Sequence, residues 1–242
     1  DVCSSDLLMV RKILKLRGIS GKMLKTAWRG NFRHLLALNR DIMLRSLLLQ
    51  LCFGAITVLG ARLGSDIIAV NAVLMTLLTF TAYALDGFAY AVEAHSGQAY
   101  GARDGSQLLD VWRAACRQSG IVALLFSVVY LLAGEHIIAL LTSLTQIQQL
   151  ADRYLIWQVI LPLVGVWCYL LDGMFIGATR AAEMRNSMAV AAAGFALTLL
   201  TLPWLGNHGL WLALTVFLAL RGLSLAAIWR RHWRNDTWFV AT

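Results

Sequence analysis

The chain has 242 residues, 59% hydrophobic and 14% charged, with a formal net charge of +8. So apolar a composition excludes an ordinary water-soluble domain, whose core could not enclose that much hydrocarbon. The basic residues fall between apolar stretches instead of along one face, which excludes a nucleic-acid-binding surface, and Cys3, Cys52, Cys116 and Cys168 lack the spacing of a disulfide framework or a zinc site.

Residues 1–7 open on Asp1 and differ in character from the basic segment that follows, so they read as a cloning or assembly remnant without weight in the fold. No charged, apolar and small-residue succession marks a signal peptide. Residues 8–41 read as a basic cytoplasmic connector. From Met9 onward, Arg11, Lys12, Lys15, Arg17, Lys22, Lys25, Arg29 and Arg33 interleave with Ile13, Leu14, Leu16, Met23, Leu24, Trp28 and Phe32, a pattern suited to an anionic membrane surface.

Residues 42–234 read as an all-α integral membrane bundle. A bilayer core about 30 Å thick needs roughly 20 apolar residues per helix. Six runs meet that length: Ile42 to Ala61, Ile67 to Val92, Gly120 to Leu141, Tyr154 to Ala178, Ser187 to Leu205 and Gly209 to Trp229. Lys and Arg gather before the first run, after the second (Arg103, Arg113, Arg117), after the fourth (Arg180, Arg185) and after the sixth (Arg230, Arg231, Arg234). Because positive loops stay inside, both ends are expected in the cytoplasm, including a tail over residues 235–242. Trp204, Trp211, Trp229 and Trp233 sit near the ends of runs, where interfacial anchors are expected.

In the second run, Tyr83, Asp86, Tyr90, Glu93 and Gly97 recur at helical spacing and form one stripe. A carboxylate near mid-membrane costs at least about 2.5 to 3.5 kcal/mol, so the stripe is expected to face a bundle interior or a wet cavity. The fourth run repeats the pattern: Tyr83-Ala84-Leu85-Asp86-Gly87 is echoed by Tyr169-Leu170-Leu171-Asp172-Gly173. Asp86 and Asp172 read as cavity groups that bind a cationic substrate or carry a proton, the alternative being buried structural hydrogen bonds. Glu93 reads either as part of that lining or as a side chain snorkelling to the interface. His95, Glu135 and His136 read as interfacial. Gly173 and Gly177 have the small-xxx-small spacing of close helix contact, whereas Gly97 to Gly105 read as helix termination and a loop. No phosphate-binding loop, nucleophile elbow or H-E-x-x-H is present, so energy for any transport would come from an ion gradient.

Leu85-Asp86-Gly87-Phe88-Ala89, then Glu93-Ala94-His95-Ser96-Gly97-Gln98-Ala99-Tyr100-Gly101-Ala102-Arg103-Asp104, and Asp172-Gly173 followed by Gly177-Ala178-Thr179-Arg180, resemble the multidrug and toxic compound extrusion (MATE) family, close to its DinF branch. The resemblance runs from about Leu8 to the end. It implies a twelve-helix transporter of two lobes, this chain being the carboxy-terminal lobe and residues 8–41 the end of the inter-lobe connector. The implied partners are the missing amino-terminal six-helix lobe, the lipid bilayer and organic, often cationic, small molecules, with no nucleic acid. The implied activity is multidrug efflux across the bacterial inner membrane, in exchange for protons or sodium and without another cofactor or a bound metal. Some sodium-coupled relatives carry a Glu in the first helix of this lobe, where this chain has Gln50; Asp172 lies in the helix where such relatives place a second carboxylate. Two other readings stay open: a flippase for lipid-linked precursors, for which Arg45 and Arg221 would be the interior cations, and a non-transporting membrane scaffold.

Overall fold

The computed structural model describes residues 32–239; the segment 1–7 and most of the expected connector over 8–41 lie outside the described residues. The chain divides into two compact units, Asp1–Arg40 and Asp41–Thr242. Of the first, the described part is the start of one helix, and everything below concerns the second.

The described residues are helical, in the order α1 (Phe32–Arg62), α2 (Ser65–Ala102), α3 (Gly105–Leu141), α4 (Thr145–Asp152), α5 (Leu155–Gly177), α6 (Ala181–Thr198), α7 (Leu202–Leu205) and α8 (Asn207–Arg234), with a 3-10 turn between α6 and α7. Six segments are long and apolar enough to cross a bilayer, the α6 segment running through the turn and α7 to Leu205. Five of the expected runs are contained in them and the fourth, Tyr154 to Ala178, overshoots its helix by one residue at each end, while α1, α2, α3 and α8 outlast the apolar stretches. Polar residues such as Asp110, Arg113 and Arg117 continue the first turns of α3 instead of ending them. The α2–α3 turn, the α5–α6 turn and the end of α8 share one end of the bundle, called here the basic end.

Turns are made where the backbone allows them. Gly64 (φ +127°) and Gly206 (φ +52°) separate α1 from α2 and α7 from α8 in conformations that side chains resist. At the basic end, Arg103 takes the left-handed conformation that ends α2, and Asp104 caps α3 by accepting from the Ser106 and Gln107 amides at 3.0 Å. The Gln107 amide first, and then the Ser106 hydroxyl, hold the Asp104 carboxyl below the usual carboxylate range. A depressed acid stabilises above its unfolded pKa, so the cap is intact at neutral pH and fades as acidification reaches the folded value.

Helix α5 is the centre of the bundle, with α2, α3 and α8 against it. In its most apolar stretch 61% of the residues are buried, against 11% for α1, so α1 is the span least enclosed by this chain. Pro162 removes an amide from the α5 ladder, and Ser127 of α3 donates to the nearby Val159 carbonyl at 2.7 Å.

Helices α2 and α5 run the same way and nearly touch. A Cβ on Gly173 would collide with the Ala89 carbonyl, and one on Gly177 would lie 2.9 Å from the Gly97 amide nitrogen, so successive turns of the two backbones meet in register. Gly97 and Gly101 are helical, a correction to the loop expected from Gly97 onward, whereas the expected helix termination and turn occur at Arg103 and Asp104. Gly97 faces the Gly177 carbonyl at the end of α5, and α2 continues past that contact as a helix to Ala102.

At the opposite end Asn71 and Asn207 exchange hydrogen bonds of 2.8 and 2.9 Å, and Trp211 Nε1 donates to Asn71 Oδ1 at 3.0 Å. Trp211 is thus buried, not an interfacial anchor, because its indole N–H has a partner inside the bundle. Trp204 and Trp233 are exposed, as are His95, Glu135 and His136. Past the α8 terminus, residues 235–239 do not leave the bundle but fold back onto it.

Two outcomes follow for the full-length protein in detergent. Gly173→Ala should destabilise by about 1–3 kcal/mol, as overpacking does, whereas Gly120→Ala, with open space around its Cβ, should leave the melting temperature unchanged; equal melting for both would contradict the close crossing. A double-mutant cycle on Asn71→Ala and Asn207→Ala should give a coupling of about 0.6–1.7 kcal/mol, the range of hydrogen bonds between membrane helices, and additive losses would mean the exchanged bonds are absent.

Candidate functional site

Where α1, α2, α5 and α8 converge, a cavity of about 350 Å³ opens, and its polar lining is Arg45, Asp86, Tyr90, Glu93, Tyr169, Asp172 and Arg221. Each helix contributes through its periodicity. On α1, Arg45, Leu49 and Phe53 follow at steps of four; on α2, Ala82, Asp86, Ala89, Tyr90 and Glu93 make one stripe. Helix α5 adds Tyr169, Asp172, Gly173 and Ile176, and α8 adds Leu218 and Arg221. Close approach at Gly173 brings the Asp172 carboxyl and the Asp86 stripe to the same space.

The charges are not equivalent. Asp172 is 7% exposed and forms an ion pair with Arg221, itself 5% exposed, while Arg45 Nη2 approaches the same carboxylate oxygen at 3.6 Å. The guanidinium of Arg45 also lies 4.0 Å from the Met184 sulfur. Removing one member of a buried pair costs about 3–5 kcal/mol because the other charge is stranded. Asp86 and Glu93 have no side-chain hydrogen bond or ion pair among the described residues. Asp86 is instead within Coulombic reach of Arg221 and Arg45. Three carboxylates and two guanidiniums thus share the cavity, with one carboxylate committed to the guanidiniums and two left to face the opening.

Helix α1 is tied to the bundle at a second point. Asp41, one turn before Arg45, is 5% exposed and accepts from Arg185 Nη1 at 2.6 Å. The two ties have opposite polarity, anion and then cation along α1, which fixes the register of this least enclosed helix.

The residues singled out from the sequence separate here. Asp86, Asp172, Glu93, Tyr90, Tyr169 and Gly173 come together around the cavity. Gly177 lies in the α2–α5 contact, against Ser96, Glu93 and Gly97. Tyr83 does not line the cavity: it sits at the edge of its stripe, a turn nearer the opposite end, and is 74% exposed. Gln50 does not either, because it follows Leu49 by one position, about 100° around the helix, and is exposed. The Asp172–Arg221 pairing was not read from the sequence. A span-embedded arginine needs an acidic partner, which was the available signal; the choice between Asp86 and Asp172 is made by the three-dimensional crossing.

Comparison with known proteins places this geometry. The MatE family model matches residues 42–205. The chain is 97% identical over 236 residues to the DNA damage-inducible protein F of Escherichia coli (strain K12), across 98% of this chain, and spans 51% of that relative's length. The fold is similar to a crystal structure of MATE in the bent conformation, with TM-score 0.73 and 16% identity over 90% of this chain and 47% of the other. It is equally similar, at TM-score 0.73 and 16% identity over 86% of this chain and 47% of the other, to the outward-facing conformation of a multidrug resistance MATE family transporter of the MOP superfamily. With six membrane-crossing helices and a family match over more than half its length, the chain belongs to the MatE family of multi-pass membrane transporters, which are not enzymes.

Proposed function

We propose that this chain is the second six-helix lobe of an efflux antiporter in the bacterial inner membrane, with both of its ends cytoplasmic, exporting organic cations in exchange for protons. The observation that carries the reading is the unequal state of the carboxylates: Asp172 is paired with Arg221, while Asp86 and Glu93 share a cavity of about 350 Å³ without a side-chain partner among the described residues. An unpaired carboxylate in a low-dielectric vestibule is favourable only when a cation or a proton neutralises it. Arg221 and Arg45 attract Asp86 as well, but three carboxylates against two guanidiniums leave the vestibule one negative charge in excess, for which a proton and an organic cation compete at Asp86, the requirement for exchange. Tyr90 and Tyr169 supply aromatic faces to such a cation. The missing amino-terminal lobe would close the remaining side of the vestibule, consistent with a chain about half the length of its relative.

The cationic interior that a pyrophosphate flippase would need is not favoured, because Arg221 and Arg45 both face Asp172.

In cells expressing the full-length protein, Asp86→Asn should cut efflux of a cationic dye at least tenfold at normal protein levels; undiminished efflux would reject the assignment. Asp172→Asn should instead act on folding. Stranding Arg221 should destabilise by about 3–5 kcal/mol, and the double variant Asp172→Asn/Arg221→Gln should recover most of the lost melting temperature. A double variant no more stable than the single one would show that the ion pair does not hold α5 to α8.

A further inference from the structure

A second polar cluster lies at the basic end, outside the cavity. Beyond α8 the chain turns back through Asp236 (φ +52°) and lays residues 235–239 across the ends of α5 and α2. Arg180, just past α5 and with its side chain 2% exposed, organises this segment. Its Nη2 donates to the Thr237 and Trp238 carbonyls at 2.9 Å, its Nη1 meets Glu183 at 2.7 Å, and its guanidinium stacks 4.9 Å from the Trp238 ring. Trp238 is 1% exposed and sits edge-on to Phe175 at 5.1 Å. His232, in the last turn of α8, joins Glu183 at 2.8 Å to the Thr237 hydroxyl at 2.7 Å. Phe239 reaches Tyr100 of α2.

The helices tied here include the two tied by the ion pair, together with α2 through Tyr100 and α6 through Glu183. Phe175 is three residues beyond Asp172 on α5, and His232 is on the helix that carries Arg221. Arg180 commits Nη2 to two main-chain carbonyls of the segment, so it holds the path of the backbone and not merely one side chain. We propose that residues 235–239 act as a strap that keeps α5 and α8 in the register bringing Asp172 to Arg221, with Arg180 and Trp238 as positioning residues for the cavity. The strap has its meaning for transport from the efflux reading, but its geometry is independent of it.

Cys168 reports on that register. It is completely buried on α5, one turn before Asp172, and a Cβ on Gly222, next to Arg221, would lie 3.4 Å from its backbone nitrogen. Parting of α5 from α8 at the ion pair would expose its thiol. The test uses the full-length protein with Cys168 as its sole cysteine, in detergent, with modification by N-ethylmaleimide followed by mass spectrometry. Trp238→Ala, and a chain ending at Asp236, should each label at least tenfold faster than the parent, while Trp238→Phe, which keeps a ring against Phe175, should restore slow labelling. Parental labelling rates in Trp238→Ala, even with a lowered melting temperature, would make the segment a local fastening and overturn the proposal. If the shortened chain does not fold, the Ala and Phe variants decide between them. Labelling requires no transport, so this outcome and the loss of efflux in Asp86→Asn can fail separately.

Discussion

The arrangement depends on one buried ion pair, Asp172 with Arg221, formed across the seam between α5 and α8. Two charges so placed have given up hydration and are tolerated only together, so the seam is specified more narrowly than apolar contact alone would specify it. The next residue sets the neighbouring seam: Gly173 lets α5 come against Ala89 of α2, where any side chain would hold the backbones apart. Two consecutive residues therefore locate α5 relative to both α2 and α8, and the cavity is the space those contacts leave.

That placement divides the work among the charged groups. Asp172 is saturated by guanidinium, which leaves Asp86 and Glu93, one stripe of α2, as the carboxylates that face the opening. Helix α1 closes another side and is poorly enclosed by this chain, so Arg45 and Asp41 hold its register through the Asp172 and Arg185 side chains. Beyond the ion pairs, Cys52 and Ile56 of α1 are buried in the apolar core, with Leu49 and Phe53 packed against it.

Much of this was legible in the sequence, for physical reasons. Apolar runs of bilayer length are set by the thickness of hydrocarbon, and charge asymmetry between loops by membrane insertion, so the six spans could be read directly. The stripe from Asp86 to Glu93 was legible because helical periodicity turns spacing into direction. Helix ends were less so: the loop expected at Gly97 is helix because α5 packs there, and hydropathy does not register a polar helix projecting past the apolar region. Trp211 looked like an anchor until Asn71 and Asn207 supplied a partner for its indole. Tyr83 and Gln50 show the limit of stripe arithmetic, since a rotation of tens of degrees moves a side chain from cavity to surface. Least legible was the pairing of Arg221, for which sequence supplies the need of a partner but not its identity.

In the proposed exchange Asp86 is the carboxylate that takes up and releases the proton, while Asp172 stays paired with Arg221. Difference infrared spectroscopy of the full-length protein, taken through acidification in lipid, reads carboxyl protonation directly. Among the protonated-carboxyl bands that grow in, one should be missing in Asp86→Asn and present in the double variant Asp172→Asn/Arg221→Gln. A band that survives removal of Asp86 but disappears with Asp172 would contradict the account.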